Sequence, residues 1–209
     1  MKTLRIVLIV FFLVGFFGCT SVKEYIEIAK GDTISEGYFD ILNKNTREKT
    51  LYSEFETSIR VVATWKSREF EDVYLSEYSR LYLLTAADKE QRKEILSDTS
   101  SDLREFLFYA YTPDRESNDF LKPDSVWKVF SSGGEGERLE PLDIREIDST
   151  PLVTKFFPYV KPYGKFYSVK FSKSLSSDKD DTVAENGPEL VFTGVLGKIE
   201  LKWNGGKGR

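Results

Sequence analysis

Apolar and polar residues alternate over residues 57–66, which is the pattern of a β-strand with one buried face. Ile59, Val61, Ala63 and Trp65 fall on one side of an extended chain, because successive side chains of a strand point to opposite faces. The opposite side carries the more polar residues. The segment therefore predicts a strand that packs against a core.

After Ser67 the apolar residues are spaced by three and four, which predicts an amphipathic helix with Ser67 as its N-cap. Asp88 provides a second helix start, because its carboxylate can cap a helix and Gln91 stands three residues later. This second helix is expected to end in the polar run 97–101. Together the two patterns predict a helical insertion at about residues 68–98.

Short apolar runs separated by proline and glycine fill the rest of the chain. The first, residues 104–112, is apolar on both faces and is expected to be covered on both sides. The spacing of the runs is typical of an antiparallel β-sandwich or open barrel, so the predicted fold class is mainly β (α+β) with a helical insertion. Further strands are predicted at residues 126–131, 138–147, 152–159, 164–172, 190–193 and 198–203.

The N-terminal segment has a different pattern. Lys2 and Arg5 precede an unbroken apolar run over residues 6–17, which is followed by Gly18 and the only cysteine of the chain, Cys19. A short cationic segment with about a dozen apolar residues is typical of a secretory signal, and it is shorter than the roughly 20 residues that cross a bilayer. Together with the Gly18–Cys19 step, this segment resembles the lipobox-type signal peptide of a bacterial lipoprotein.

The resemblance implies a location rather than an activity. Cys19 would become the N-terminus and carry the lipid, and two or more acyl chains suffice for stable anchoring in a membrane. Thr20 stands where an aspartate often retains lipoproteins in the inner membrane, so the outer membrane of the bacterial cell envelope is favoured. The alternatives are an uncleaved N-terminal anchor and an ordinary secretory signal in which Cys19 has no role.

The expected domain organisation follows from these segments. Residues 1–18 form the signal peptide, 19–50 a tether with a short N-terminal element, 51–203 a single globular domain, and 204–209 a flexible glycine-rich tail. A mature chain of this length is within the size of one ordinary domain. The mature domain is not recognised as a member of any family.

Composition excludes several classes of function. Without Lys2 and Arg5 the mature chain has 28 basic and 34 acidic residues, and this net charge of −6 argues against nucleic-acid binding. Histidine is absent and Cys19 is the single cysteine, which excludes Ser-His-Asp and Cys-His catalysis and zinc sites built from cysteine and histidine. No cofactor is expected, and the fold has to be stabilised without disulfides.

Two short motifs match known chemistry at low specificity. Ser125 with Lys128, and Ser176 with Lys179, have the S-x-x-K spacing of penicillin-binding proteins, but the S-D-N and K-T-G companion motifs are missing. Residues 125–130 are also predicted to be extended, whereas the motif requires a helix start. We therefore do not expect a serine nucleophile.

An acidic segment partly matches a calcium-binding loop. Asp178, Asp180 and Glu189 stand at positions one, three and twelve of an EF-hand spacing, but position five is Thr182. A solvated acidic loop is the expected structure, and loose calcium contact through Asp178, Asp180 and Asp181 stays open. No metal site is predicted.

Carboxylates and tyrosines leave further alternatives open. Glu54 and Glu56 are expected to be ordinary residues of a strand edge rather than a catalytic pair. A platform of tyrosines for sugar or peptide is possible in principle, although a sandwich core with hydroxyls at its rim is expected. The tyrosines concerned are Tyr109, Tyr111, Tyr159, Tyr163 and Tyr167.

Three functional hypotheses follow. The first is a lipid-anchored envelope protein without catalytic activity that binds or assembles with an envelope protein partner. The second is an envelope hydrolase of cell-wall glycan, which requires two acids in a cleft, one with a raised pKa. The third is a carrier of an apolar ligand, which requires a hollow interior.

Overall fold

The folded domain begins earlier in the chain than the sequence predicts. The computed structural model describes residues 34–53, 56–100, 103–132, 138–173 and 187–203, with the side chains of 95–100 left out. The compact unit is Glu36–Arg209, so it begins before the predicted boundary at residue 51. Cys19 and the rest of the signal segment lie outside the described residues.

Four helices and nine strands are present in these ranges. The helices are α1 (Glu36–Lys44), α2 (Arg68–Leu81), α3 (Ala86–Ser100) and α4 (Pro151–Phe156). The strands are β1 (Thr46–Ser53), β2 (Glu56–Trp65), β3 (Leu103–Tyr111), β4 (Trp127–Ser132), β5 (Arg138–Leu139), β6 (Asp143–Ile147), β7 (Lys165–Ser172), β8 (Glu189–Gly194) and β9 (Gly197–Lys202). None of these helices is long and apolar enough to cross a membrane.

The strands form two antiparallel sheets. The first has the order β1-β2-β3-β7-β6 and the second the order β5-β4-β8-β9. The register of the first sheet places Ala63 opposite Phe108, which in turn lies opposite Tyr167. The prediction of a mainly β fold built from antiparallel sheets is confirmed, and the described strands do not close into a barrel.

The core lies between the two sheets. Ile59, Val61 and Ala63 of β2 are fully buried in it, as their alternation predicts. The Phe108 ring of the first sheet lies 5.1 Å from the Phe192 ring of the second, in an edge-to-face contact. Phe120, from the loop between β3 and β4, is 5.1 Å from Phe108 in the same cluster.

The other face of the five-stranded sheet is covered by helices. The ring centres of Tyr38 in α1 and Phe156 at the end of α4 are 5.4 Å apart. The Tyr38 hydroxyl also donates a hydrogen bond of 3.0 Å to the backbone carbonyl oxygen of Phe156. Phe157 contacts Phe166 of β7 at 5.3 Å, and both are buried. These rings make a second apolar layer, which explains why β3 is apolar on both faces.

The N-cap of α2 is the predicted residue, whereas the N-cap of α3 is not. Ser67 caps α2, since its Oγ accepts from the backbone N–H of Phe70 at 3.2 Å. In α3 the cap is Thr85, whose Oγ1 accepts from the N–H of Asp88 at 3.2 Å. The carboxylate of Asp88 returns the bond to the N–H of Thr85, so Asp88 is the third helical residue of a reciprocal capping pair rather than the cap.

Two predicted strands are wrong. Residues 152–159 contain helix α4, because Thr150 accepts from the N–H of Val153 at 3.3 Å and Pro151 fits the first helical turn. The predicted strand 138–147 is broken at Pro141. Its first part, β5, pairs with β4, and its second part, β6, pairs with β7 in the other sheet.

The N-terminal elements of the domain also differ from the prediction. Residues 36–50 were predicted to belong to a tether with a short element, whereas they form α1 and most of β1. β1 is an edge strand with exposed charged residues such as Glu48 and Lys49, so it lacks the apolar alternation that identifies β2. Its pairing with β2 holds it in the sheet.

Candidate functional site

The strand register brings several chain segments to one end of the domain. Tyr52 near the end of β1 pairs with Thr57 near the start of β2, and the last residue of β3, Tyr111, pairs with Arg60. In the second sheet the first residue of β4 pairs with Gly194, where the β8–β9 turn begins. The two sheets meet at this end, because the Leu51 side chain packs against Gly197.

This end of the domain exposes apolar side chains. Of the eight large hydrophobic side chains that are exposed in the described ranges, five belong to the segments that meet here, and Val195 is 90% exposed. Exposed apolar residues are ordinary when scattered, whereas several of them at one end of a domain make that end a candidate contact site. We call this surface the apolar end and define it by Tyr52, Leu121, Tyr163, Val195 and Leu196.

The β8–β9 turn is built to present Val195 and Leu196 outward. Gly197 has a φ of +134°, which L side chains rarely adopt, and a Cβ there would come within 2.7 Å of Leu51 Cδ2. A Cβ at Gly194 would overlap the carbonyl oxygen of Val126. The two glycines therefore let the turn lie close against its neighbours, while the apolar residues between them point to solvent.

Tyrosines form the rim of the apolar end on the side of the first sheet. The Tyr163 ring meets the Tyr111 ring edge-to-face at 5.8 Å. Arg60, which lies opposite Tyr111 in the register, donates from Nε to Glu48 Oε1 at 2.7 Å. This hydrogen bond raises the pKa of Arg60 and pairs its guanidinium with a carboxylate of the neighbouring strand β1.

Below this rim lies a buried hydroxyl. Tyr109 is fully buried, and its hydroxyl has no hydrogen-bond partner among the described residues. Burial raises its pKa to about 12. Gly164 covers this hydroxyl so closely that a Cβ would overlap both Tyr109 and the Ala110 carbonyl oxygen. The 161–164 turn therefore seals Tyr109 from solvent.

The five tyrosines considered from the sequence do not form one platform. Tyr109 and Tyr167 are fully buried, and the hydroxyl of Tyr167 donates to the Asn118 carbonyl oxygen at 2.9 Å. Tyr159 shares a hydrogen bond of 2.8 Å with Thr64. Of these five tyrosines, only Tyr111 and Tyr163 lie together at the rim. This arrangement is the one expected for a sandwich core with tyrosines at its rim.

A partly buried charged cluster lies elsewhere, at the start of α2. Lys66 Nζ is 2.7 Å from Glu105 Oε2 and 3.5 Å from Glu71 Oε1, and all three side chains are less than one-fifth exposed. Ser168 donates to the other oxygen of Glu105 at 2.7 Å. Burial raises the pKa of Glu71. Two carboxylates thus share one ammonium group.

The first S-x-x-K pair is not arranged for nucleophilic catalysis. Ser125 Oγ accepts from the N–H of Trp127 at 3.3 Å, and Lys128 Nζ donates to the carbonyl oxygens of Lys122 and Pro123. Lys128 lies in β4, which is extended as predicted. Ser176 and Lys179 lie outside the described residues.

The acidic residues considered for calcium are only partly described. Asp178, Asp180 and Asp181 lie outside the described residues. Glu54, which was considered with Glu56 as a catalytic pair, lies outside them as well. Glu189 is in β8, where its carboxylate is 3.2 Å from Lys202 Nζ. Within the described ranges no three histidine, cysteine or acidic side chains converge as a metal site would require.

Comparison with protein-family models, with curated proteins and with solved structures found no match. The apolar end was not predicted from the sequence because its members are far apart along the chain. One signal was present: Val195 and Leu196 stand between two glycines, at a turn position where polar residues are usual.

Proposed function

We propose that the chain is a lipid-anchored protein of the bacterial cell envelope, with a non-catalytic binding role that it performs through the apolar end. The observation that carries the binding role is the gathering of Tyr52, Leu121, Tyr163, Val195 and Leu196 at one end of the domain. The predicted anchor depends on the Lys2–Cys19 segment, and the outer membrane is the favoured location.

The anchor is tested by acylation. Cells that express the full chain are grown with a radiolabelled fatty acid, and the Cys19→Ala variant is the matched control. Label in the parent chain and none in C19A is the expected result, and mass spectrometry should place the modified N-terminus at Cys19. A mature chain that begins elsewhere, or whose thiol is free, contradicts the anchor.

The binding role is tested by crosslinking in intact cells. A photoreactive amino acid is placed at Leu196, and at Leu142 as a control, since both side chains are exposed but only the first lies at the apolar end. Adducts with a lipid or a protein partner are expected from position 196 and not from position 142. Equal yields at the two positions argue against a binding role for this end.

A hydrolase of cell-wall glycan is a second candidate, and one observation favours it. Glu71 and Glu105 are two enclosed carboxylates near each other, and the pKa of Glu71 is raised, as a general acid requires. Lys66 and Ser168 already bind these carboxylates, which disfavours it. Release of soluble fragments from purified peptidoglycan, lost in both E71Q and E105Q, would support this candidate over the first.

The carrier hypothesis has less support. The Phe108, Phe120, Tyr167 and Phe192 rings contact one another between the sheets, with centroids 4.9–5.8 Å apart. These rings occupy the interior where an apolar ligand would bind.

A further inference from the structure

We propose that the apolar end lies on the membrane surface as a second contact beside the lipid anchor, with Val195 and Leu196 inserted at the headgroup level. This inference rests on the proposed function, because it takes the bilayer to be the one that Cys19 enters. It adds an orientation to the proposed anchor: the strands would stand with the β8–β9 turn toward the lipid.

The chemistry of the exposed residues favours a lipid interface. Val195 and Leu196 form the outermost part of a tight turn, so they can enter a headgroup layer without any change in the sheet. Tyr52 and Tyr163 are exposed at the same end, and tyrosine is enriched at membrane interfaces, where its ring is apolar and its hydroxyl stays hydrated.

The charges near this end favour insertion over electrostatic adsorption. The loop between β3 and β4 contains four acids against Arg115 and Lys122. Of these acids, Asp119 is paired with Lys122 at 3.2 Å. In the other segments at this end, Lys165 is paired with Glu146 at 3.2 Å and Lys198 with Glu200. The two remaining lysines, Lys128 and Lys161, are balanced by the acidic loop, so these segments carry no excess of positive charge that would attract an anionic lipid surface. The proposed contact should therefore form on zwitterionic phospholipid and gain nothing from added anionic lipid.

The length of the tether permits this contact. The 16 residues from 20 to 35 separate Cys19 from α1, and an extended chain of that length spans at most about 55 Å. A nine-residue strand such as β3 is about 30 Å long. The tether is thus long enough for the apolar end to reach the bilayer, and tethering raises the effective concentration of the bilayer, so that even weak insertion is populated.

The test depends on Cys19 being the only cysteine of the chain. Because Cys19 would be consumed by the lipid, V195C in the lipidated full chain has one free thiol, which is labelled with an environment-sensitive fluorophore. L142C is the matched control, since Leu142 is 63% exposed and lies at the opposite end of the first sheet, where its N–H donates to the Lys170 carbonyl oxygen near the end of β7. Both proteins are reconstituted into phosphatidylcholine vesicles with and without nitroxide-labelled lipid.

For V195C we expect a blue-shifted emission and at least a twofold loss of intensity with nitroxide lipid, and for L142C neither change. Replacing Leu196 by Ser in the V195C protein should reverse both changes. A V195C probe that remains in water, or that is quenched no more than the L142C probe, overturns the inference. A blue shift without quenching indicates a protein contact, such as a second copy, and overturns it as well.

Flotation of the same vesicles separates this inference from the proposed function. A chain that floats with the vesicles but keeps its V195C probe in water retains the anchor and loses the second contact. A chain that does not float contradicts the anchor itself, and the inference fails with it. Anionic lipid that increases the quenching severalfold would contradict the argument for apolar insertion.

Discussion

The indole N–H of Trp203 donates to the backbone carbonyl oxygen of Asn45 over 2.6 Å. The same carbonyl oxygen accepts from the N–H of Trp65 at 2.9 Å, so one atom joins three segments of the chain. The Arg47 guanidinium lies 5.9 Å from the centre of the Trp203 ring. These contacts hold Trp203, which follows β9, at the junction of α1 and β1.

Replacing Trp203 by Phe should lower the free energy of unfolding by about 1–3 kcal/mol, because it removes a buried hydrogen bond and part of a buried ring. Urea denaturation followed by circular dichroism measures this. Lys202→Ala is the neighbouring control, since Lys202 is exposed and its ion pairs with Glu189 and Glu200 are screened by solvent. Equal losses in the two variants would show that Trp203 does not fasten the segments.

Two tyrosine-to-phenylalanine changes should have opposite effects. Tyr38→Phe removes the hydroxyl that donates to Phe156, and should lower the free energy of unfolding by about 1 kcal/mol. Tyr109→Phe removes a buried hydroxyl without a partner in the described structure, and should leave stability unchanged or raise it by about 1 kcal/mol. Thermal unfolding of the pair checks the sign. A loss in Y109F as large as in Y38F would reveal an ordered water at Tyr109.

The sequence predicted the elements whose signal is local. β2 was found from its alternation and α2 from Ser67 with its apolar spacing. The expectation of one buried face was incomplete for β2, since Val62 and Thr64 on its other face are buried as well. α4 was missed because the run from Leu152 to Phe157 has no clear period, and the capping at Thr150 decided its structure. The apolar end depends on register, which joins Leu51 to Gly197 across the chain, and no local pattern contains that contact.

The cluster around Lys66 should depend on pH in a specific direction. Burial raises the pKa of Glu71 above its ordinary value of 4.5, so folding favours the protonated form. Stability from this group is therefore complete below pH 4.5 and is lost as the pH rises through the raised value. The stability of the parent chain relative to Glu71→Gln should fall over that window and then stay constant.

Glu105→Gln is the comparison within the same cluster. It removes the closest partner of Lys66, at 2.7 Å, and should cost about 1.5 kcal/mol or more at neutral pH. Glu71→Gln should leave stability unchanged or raise it slightly at neutral pH, because the raised pKa means that folding disfavours the charged form of Glu71. Denaturation series from pH 4 to 8, roughly the range around the ordinary carboxyl pKa, measure both variants. A larger loss in E71Q than in E105Q would mean that Glu71 is the main partner of Lys66.

Leu83 offers a stabilising change. It follows the end of α2 with a φ of +50°, the only non-glycine residue with a positive φ in the described structure, and the N–H of Leu84 donates to the Ser79 carbonyl oxygen at 3.0 Å. This is a Schellman ending, in which the left-handed residue is usually glycine. Leu83→Gly removes a conformational cost of roughly 1–2 kcal/mol and adds flexibility to the unfolded chain, so a net gain of about 0.5–1 kcal/mol is expected.

Two further variants separate the backbone effect from loss of an exposed side chain. Leu83→Ala keeps a Cβ and should leave the melting temperature nearly unchanged, whereas L83G should raise it. Leu142→Gly removes another exposed leucine, at a position without a positive φ, and should lower stability by about 0.5–1 kcal/mol. A gain in L83A equal to that in L83G would assign the effect to the exposed side chain, and the left-handed backbone at the end of α2 would then carry no measurable cost.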